Sequence, residues 1–397
     1  MPVINRVAEY QDELVAWRRH LHEHPELAYT EVETARFVAE KLRSFGVDEV
    51  HEGLGKTGVV GVLRNGSGKG AIGLRADMDA LPMDEQSGVA WASRAKGRMH
   101  ACGHDGHTTM LLGAARYLAE TRCFDGTVYL IFQPAEEGGA GAAAMMQDGL
   151  FERFPAERVF GMHNWPDLPA GQFGMREGPI MAATAEYEIL VKGKGCHAAM
   201  PHQGRDPIVA ASLLVGALQS IVSRTVDPLK SAVVSTTRIA GGDAYNVIPG
   251  QVELWGTVRT YERKVQDEVE QRIRSICAGI ALAQEVEVDL RFQPNYPATI
   301  NSSAEARIGA EVARGIVGED KVVWDMAPSM GGEDFAYMLE KKPGSYIWLG
   351  VGGASEGKVC HSPTYDFNDE MLPLGVTYWA KLTEHLLPRR AETAKAA

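Results

Sequence analysis

The chain of 397 residues is longer than one hydrophobic core usually sustains, so two domains are expected. Its 45% apolar and 23% charged residues are an ordinary globular composition, and the net charge of -12 argues against nucleic acid or an anionic membrane surface as a partner. Five scattered cysteines do not make a disulfide framework, the start of the chain is charged with no signal-like apolar run, and no apolar run reads as long enough to span a bilayer, so a reducing, cytoplasmic setting is expected.

In chain order, residues 4–23 and 30–45 read as helices separated by the break at Pro25. Short apolar runs at 58–63, 71–76, 127–132 and 158–162 read as strands, with a helix starting near Asp105 between the second and third. This alternation predicts an α/β domain on a largely parallel, buried sheet. The pattern then changes to strand 187–191, helix 206–224, strands 232–239 and 252–258, helix 262–283 and strand 286–292. In the long helix Val265, Val269, Ile273, Ile276 and Ile280 fall on one face. The order β-α-β-β-α-β is the ferredoxin-like split motif. A helix at 304–317, a strand at 346–349 and a helix at 372–387 return to the first pattern. The expected organisation is therefore a larger domain of residues 1–183 and 297–397 with a small domain, 184–296, inserted into it. The tail from Pro388 is expected to fray.

Four motifs carry chemistry: His100-Ala101-Cys102-Gly103-His104-Asp105, Gln133-Pro134-Ala135-Glu136-Glu137-Gly138-Gly139, Met162-His163-Asn164-Trp165-Pro166 and Cys360-His361-Ser362-Pro363. Two follow predicted strands directly and the first leads into a helix, which is where open α/β sheets build sites. Cys102, His104, Glu137, His163 and His361 could each ligate a metal, and the mixed Cys/His/Glu set suits zinc, manganese, cobalt or nickel. Five ligands exceed one tetrahedral shell and are about right for two divalent ions. Glu136 beside Glu137 is the most telling feature: one carboxylate can ligate while the other moves a proton.

Other residues have plainer readings. His20, His22 and His24 are read as structural, because alternate residues of a helix do not converge. His100, His107 and His202 are read as hydrogen-bonded structural or supporting groups. Asp77 and Asp105 are read as carboxylates that orient ligand imidazoles. Cys123, Cys196 and Cys277 are read as inert, and Cys360 as packing.

These motifs resemble the M20 metallopeptidase family, most closely its amidohydrolase branch of hippurate hydrolases, N-acyl-amino-acid deacylases and auxin-conjugate hydrolases. The resemblance covers nearly the whole chain and extends to Arg18-Arg19-His20-Leu21-His22-Glu23-His24-Pro25-Glu26, Leu74-Arg75-Ala76-Asp77-Met78-Asp79-Ala80-Leu81-Pro82 and Met330-Gly331-Gly332-Glu333-Asp334-Phe335. It implies that the five candidates above are the metal ligands, Glu136 the general base, and the inserted domain a lid and dimerisation domain. By the same resemblance His197, in Lys194-Gly195-Cys196-His197, stabilises the oxyanion, and Asn246 and Arg259 hold a substrate carboxylate. The implied reaction is hydrolysis of a small-molecule N-acyl amino acid, in a homodimer or tetramer. A dipeptidase or an N-acyl-diaminopimelate deacylase with the same site is the alternative, and a descendant that only binds ligand is a third reading.

Overall fold

A mixed sheet of eight strands carries the first part of the computed structural model, which describes residues 2–389; the end of the tail expected to fray lies outside the described residues. From edge to edge the strands are Glu49–Leu54, Gly58–Asn65, Gly126–Gln133, Ala71–Asp77, Arg158–Trp165, Gly344–Gly350, Phe173–Met175 and Val322–Trp324. The central four, from Gly126–Gln133 to Gly344–Gly350, run parallel. Antiparallel pairs flank them on both sides. All seven residues of Ala71–Asp77 and of Gly344–Gly350 are buried, as expected for parallel strands covered on both faces. The helix His104–Thr121 crosses between the Ala71–Asp77 and Gly126–Gln133 strands and is buried on nearly every face.

Two compact units divide the chain. The first comprises the residues up to Ile180, Ile300–Ala327 and the residues from Asp334; the second comprises Met181–Thr299 with Pro328–Glu333. In the second, the strands Ala183–Lys192, Ala232–Ala240, Gln251–Thr260 and Glu287–Pro294 form one antiparallel sheet. The two strands that are central in this sheet are the first and third in sequence, the arrangement of the ferredoxin-like fold. Ala183–Lys192 alternates buried and exposed side chains, so one face of the sheet is core. Helices Pro207–Arg224 and Arg263–Gln284 cover that face through Leu214, Leu218, Ile221, Val269 and Ile273. Asp206 caps the first of them, accepting from the amides of Ile208 and Val209 ahead of a proline in the first turn.

Three local readings need correction. The helix expected over residues 4–23 is two, Asn5–Ala8 and Gln11–Glu23, with Tyr10 between them burying its ring and bonding Glu120. On the long helix, Cys277 takes the inner position, while Ile276 and Ile280 are only partly buried. Finally, Pro207–Arg224 is long and apolar enough to cross a membrane by length and composition, with a mean hydropathy of 1.4. Its packed face, Ala210, Ala211, Leu214, Leu218 and Ile221, places it as a core helix of the second unit.

Candidate metal centre

The carboxyl ends of the four parallel strands deliver the site. Asp77 closes Ala71–Asp77, Gln133 closes Gly126–Gln133 immediately before the Glu136-Glu137 loop, and His163 lies near the end of Arg158–Trp165. His361 follows the Gly344–Gly350 strand by a loop, and Cys102 and His104 stand at the start of the buried helix. Gly103 makes that start possible. Its φ of 94° is left-handed, and an added Cβ would lie 2.2 Å from Asn164 Oδ1.

Donor atoms converge in overlapping groups, each within 4.8 Å: Cys102, His104 and His163; Cys102, Glu137 and His361; and His104, Glu136 and Glu137. All five candidate ligands and Glu136 are thus brought together, with Cys102 common to two groups. Backbone carbonyls set the imidazoles. His104 Nδ1 donates to Asp79 O at 2.9 Å and His163 Nδ1 to Asn164 O at 2.6 Å. Each therefore turns Nε2 inward, and His163 Nε2 lies 3.3 Å from Cys102 Sγ. His104 Nε2 is buried without a hydrogen-bond partner among the described residues, and such an orphaned atom fits a cation beside it.

The electrostatics agree with that fit. Burial lowers the His104 pKa, but Asp77, Asp79 and Glu137 outweigh it and push it up to about 10. Positive charge is thus favoured at Nε2, whether carried by a proton or a metal. His163 is held well below the ordinary histidine range by burial and by His107. The neighbouring thiols act on each other, raising Cys102 and lowering Cys360, and burial with the charges of Glu137 and Glu136 raises Cys102 further. His361, more exposed, lies 3.2 Å from Glu137, which raises its pKa.

Asp79 is the residue sequence reading passed over. Its two carboxylate oxygens accept the backbone amides of Glu136 and Glu137 at 3.0 and 2.8 Å, and its Oδ1 lies 3.3 Å from His104 Nδ1. Glu31, also buried, accepts the amide of Ala135 at 2.8 Å, where the chain adopts a left-handed φ of 54°. The carboxylate loop is therefore held from two sides. Asp77 accepts from Arg75 and from His107, both at 2.6 Å, and His107 meets Asn164 on its other nitrogen. Asp105 contacts no candidate ligand side chain. It bonds His22 at 2.8 Å and lies 3.6 Å from Arg18, fastening the Gln11–Glu23 helix. His20 and His24 are on one exposed face with ring centroids 4.6 Å apart, whereas His22 is buried opposite them. His100 is buried with neither ring nitrogen bonded among the described residues, unlike the hydrogen-bonded role expected of it.

In the second unit, His197 sits on a two-residue strand paired with Val247–Ile248, and the Ala198 amide bonds Asn246 O at 2.9 Å. The Ala199 amide donates to His197 Nδ1 at 3.1 Å. An amide can only donate, so Nδ1 accepts and the proton of neutral His197 is on Nε2. Arg259 is half-buried on Gln251–Thr260 and donates to Thr257 Oγ1 and to Val258 O. It makes no salt bridge among the described residues, and burial lowers its pKa.

A structural metal needs only a closed set of ligands. Here a further carboxylate, Glu136, stands among them, as hydrolysis requires, and the protein is a metal-dependent hydrolase. It belongs to the peptidase family M20/M25/M40, whose model matches residues 73–385. Hippurate hydrolase of Campylobacter jejuni is 44% identical over 383 residues, covering 96% of this chain and 98% of that protein. N-acetylcysteine deacetylase of Bacillus subtilis is 40% identical over 374 residues, covering 94% and 96%. A solved dinuclear metal binding peptidase of the M20 family from Bacillus subtilis superposes with a TM-score of 0.83 at 36% identity, covering 96% and 99%.

Proposed function

We propose that this protein hydrolyses the amide bond of N-acyl amino acids, with two divalent ions held by Cys102, His104, Glu137, His163 and His361. The observation that carries the reading is Glu136, which is 7% exposed and has its backbone fixed by the Asp79 carboxylate beside a partnerless His104 Nε2. Two relatives are named for hippurate and N-acetylcysteine, N-acyl amino acids with different acyl groups, and this chain acts on the same class.

Bound ions supply Lewis acidity, lowering the pKa of a water and polarising the scissile carbonyl. Glu136 takes the proton from the attacking water and delivers it to the leaving nitrogen. His197, with its proton on Nε2, donates to the oxyanion. Arg259 and Asn246 hold the substrate carboxylate, for which a half-buried guanidinium without a salt bridge is suited. Asp77 fixes His107, and through it Asn164, behind His163. The second unit serves as the lid, the protein works in the cytoplasm as a dimer or tetramer, and the ions are zinc, manganese, cobalt or nickel.

The test is metal analysis of the purified protein, then amine release from benzoylglycine and acetyl amino acids with each metal added. Two equivalents of metal and release of the amino acid are expected. Release only from free-amino dipeptides would overturn the substrate class, and metal-independent turnover would overturn the centre.

A further inference from the structure

We infer that Cys102 and Cys360 form a dithiol that a hydroperoxide converts to a disulfide, and that this linkage and bound metal exclude each other. The second clause rests on Cys102 being a ligand; the first does not. Residues 258 apart in sequence meet here: the Cys360 thiol donates to the backbone oxygen of Cys102, with Sγ 3.8 Å from that oxygen. Asn164 Nδ2 holds Cys360 Sγ at 3.4 Å, while His163 Nε2 holds Cys102 Sγ at 3.3 Å. Cys102 is buried and Cys360 is the more exposed of the two, on the segment that leads into exposed His361. Cys360 is therefore the outer and Cys102 the inner sulfur of the pair, the order that suits an attacking and a resolving thiol.

The chemistry balances with the peroxide as oxidant. The Cys360 sulfur attacks a peroxide oxygen, the S–O bond forms, the O–O bond breaks, and the departing oxygen takes the thiol proton. The Cys102 sulfur then attacks the Cys360 sulfur. The S–S bond forms, the S–O bond breaks, and hydroxide leaves as water with the Cys102 proton. The two thiols lose two electrons and the peroxide gains them. A disulfide sulfur is no longer a thiolate donor, so the linkage removes Cys102 from both donor groups it completes.

The experiment treats the metal-stripped full chain, and the same chain saturated with zinc, with stoichiometric hydrogen peroxide. Thiols are counted after denaturation, and the peptides are mapped by mass. In the stripped chain the free thiols should fall from the five present by two, with a Cys102–Cys360 linked peptide that dithiothreitol releases. In the zinc-loaded chain the count should stay at five. Cys360→Ser, which retains every candidate ligand, should keep all its remaining thiols in either state. Absence of the linked peptide from the stripped chain, or a sulfinic acid on Cys360 in its place, overturns the dithiol. Linkage forming as fast with zinc bound overturns the exclusion and the assignment of Cys102 as ligand, leaving the dithiol itself supported.

Discussion

Replacing Asp79 by alanine removes the group on which the Glu136-Glu137 loop is built. Asp79 is 1% exposed and accepts the amides of Glu136 and Glu137 at 3.0 and 2.8 Å. Alanine offers no acceptor, and the cavity it leaves is small. A buried amide without a partner costs about 1–3 kcal/mol, so two cost roughly 2–6 kcal/mol if the loop stays in place. If the loop moves to satisfy them, Glu136 and Glu137 leave the donor cluster and metal affinity falls instead. The two costs trade against each other, so both must be measured. A chain of two units need not unfold in one step, so the local readout is hydrogen exchange at the Glu136 and Glu137 amides in the metal-loaded protein. Wild type should protect both, and Asp79→Ala should lose protection at both while zinc dissociates more readily. Unchanged protection together with unchanged zinc affinity would refute the idea that Asp79 holds this loop.

Three further outcomes follow from the geometry. Glu136→Gln should retain metal, measured by elemental analysis, and lose about 10²–10⁴-fold in kcat; wild-type turnover would refute the base assignment. Arg259→Ala should raise KM for an N-acyl amino acid by about 10- to 100-fold, the cost of one charge-assisted contact, and leave an N-acyl amine lacking the carboxylate unaffected. His22 gives a pH dependence: burial lowers its pKa, but Asp105 and Glu85 outweigh this and raise it to about 9 from an ordinary 6.5. A raised folded pKa contributes stability fully below about pH 6.5 that is lost as pH rises through about 9, on the order of 3 kcal/mol. Urea titrations at pH 6 and pH 9.5 should show this loss in wild type and not in His22→Asn.

Much of the architecture is legible in the sequence because buried parallel strands are continuous apolar runs and the later helices carry a helical period. Glu49–Leu54 escapes that reading because it is an edge strand with only Leu54 fully buried, so no periodicity marks it. Candidate ligands are legible because each stands in a short motif, and all but His361 lie near a strand end or a helix start. Their supports are not. Asp79 matters through amides 57 and 58 residues away, Cys360 through a cysteine 258 residues away, and Asp105 through a helix residue 83 positions earlier. Such roles are created by tertiary pairing, and nothing local distinguishes Asp79 from Asp77 or Cys360 from a packing cysteine. His20, His22 and His24 illustrate the reverse: helical period alone separates buried His22 from the other two, though it also brings His20 and His24 together.

Backbone groups assign opposite chemistry to histidines of identical composition. Asp79 O and Asn164 O take the Nδ1 protons of His104 and His163, leaving Nε2 as a lone pair that can ligate. The Ala199 amide occupies the Nδ1 lone pair of His197, leaving Nε2–H as a donor that cannot ligate while neutral. A carbonyl in one place and an amide in the other therefore leave His104 and His163 able to ligate and neutral His197 able only to donate from Nε2, as their proposed roles require. Nitrogen-15 NMR of the zinc-loaded protein, with each histidine assigned by single substitution, reads this directly. His104 and His163 should carry the proton on Nδ1 and His197 on Nε2. A proton on Nδ1 of neutral His197 would break the Ala199 contact, point a lone pair from Nε2, and remove the basis for its donor role.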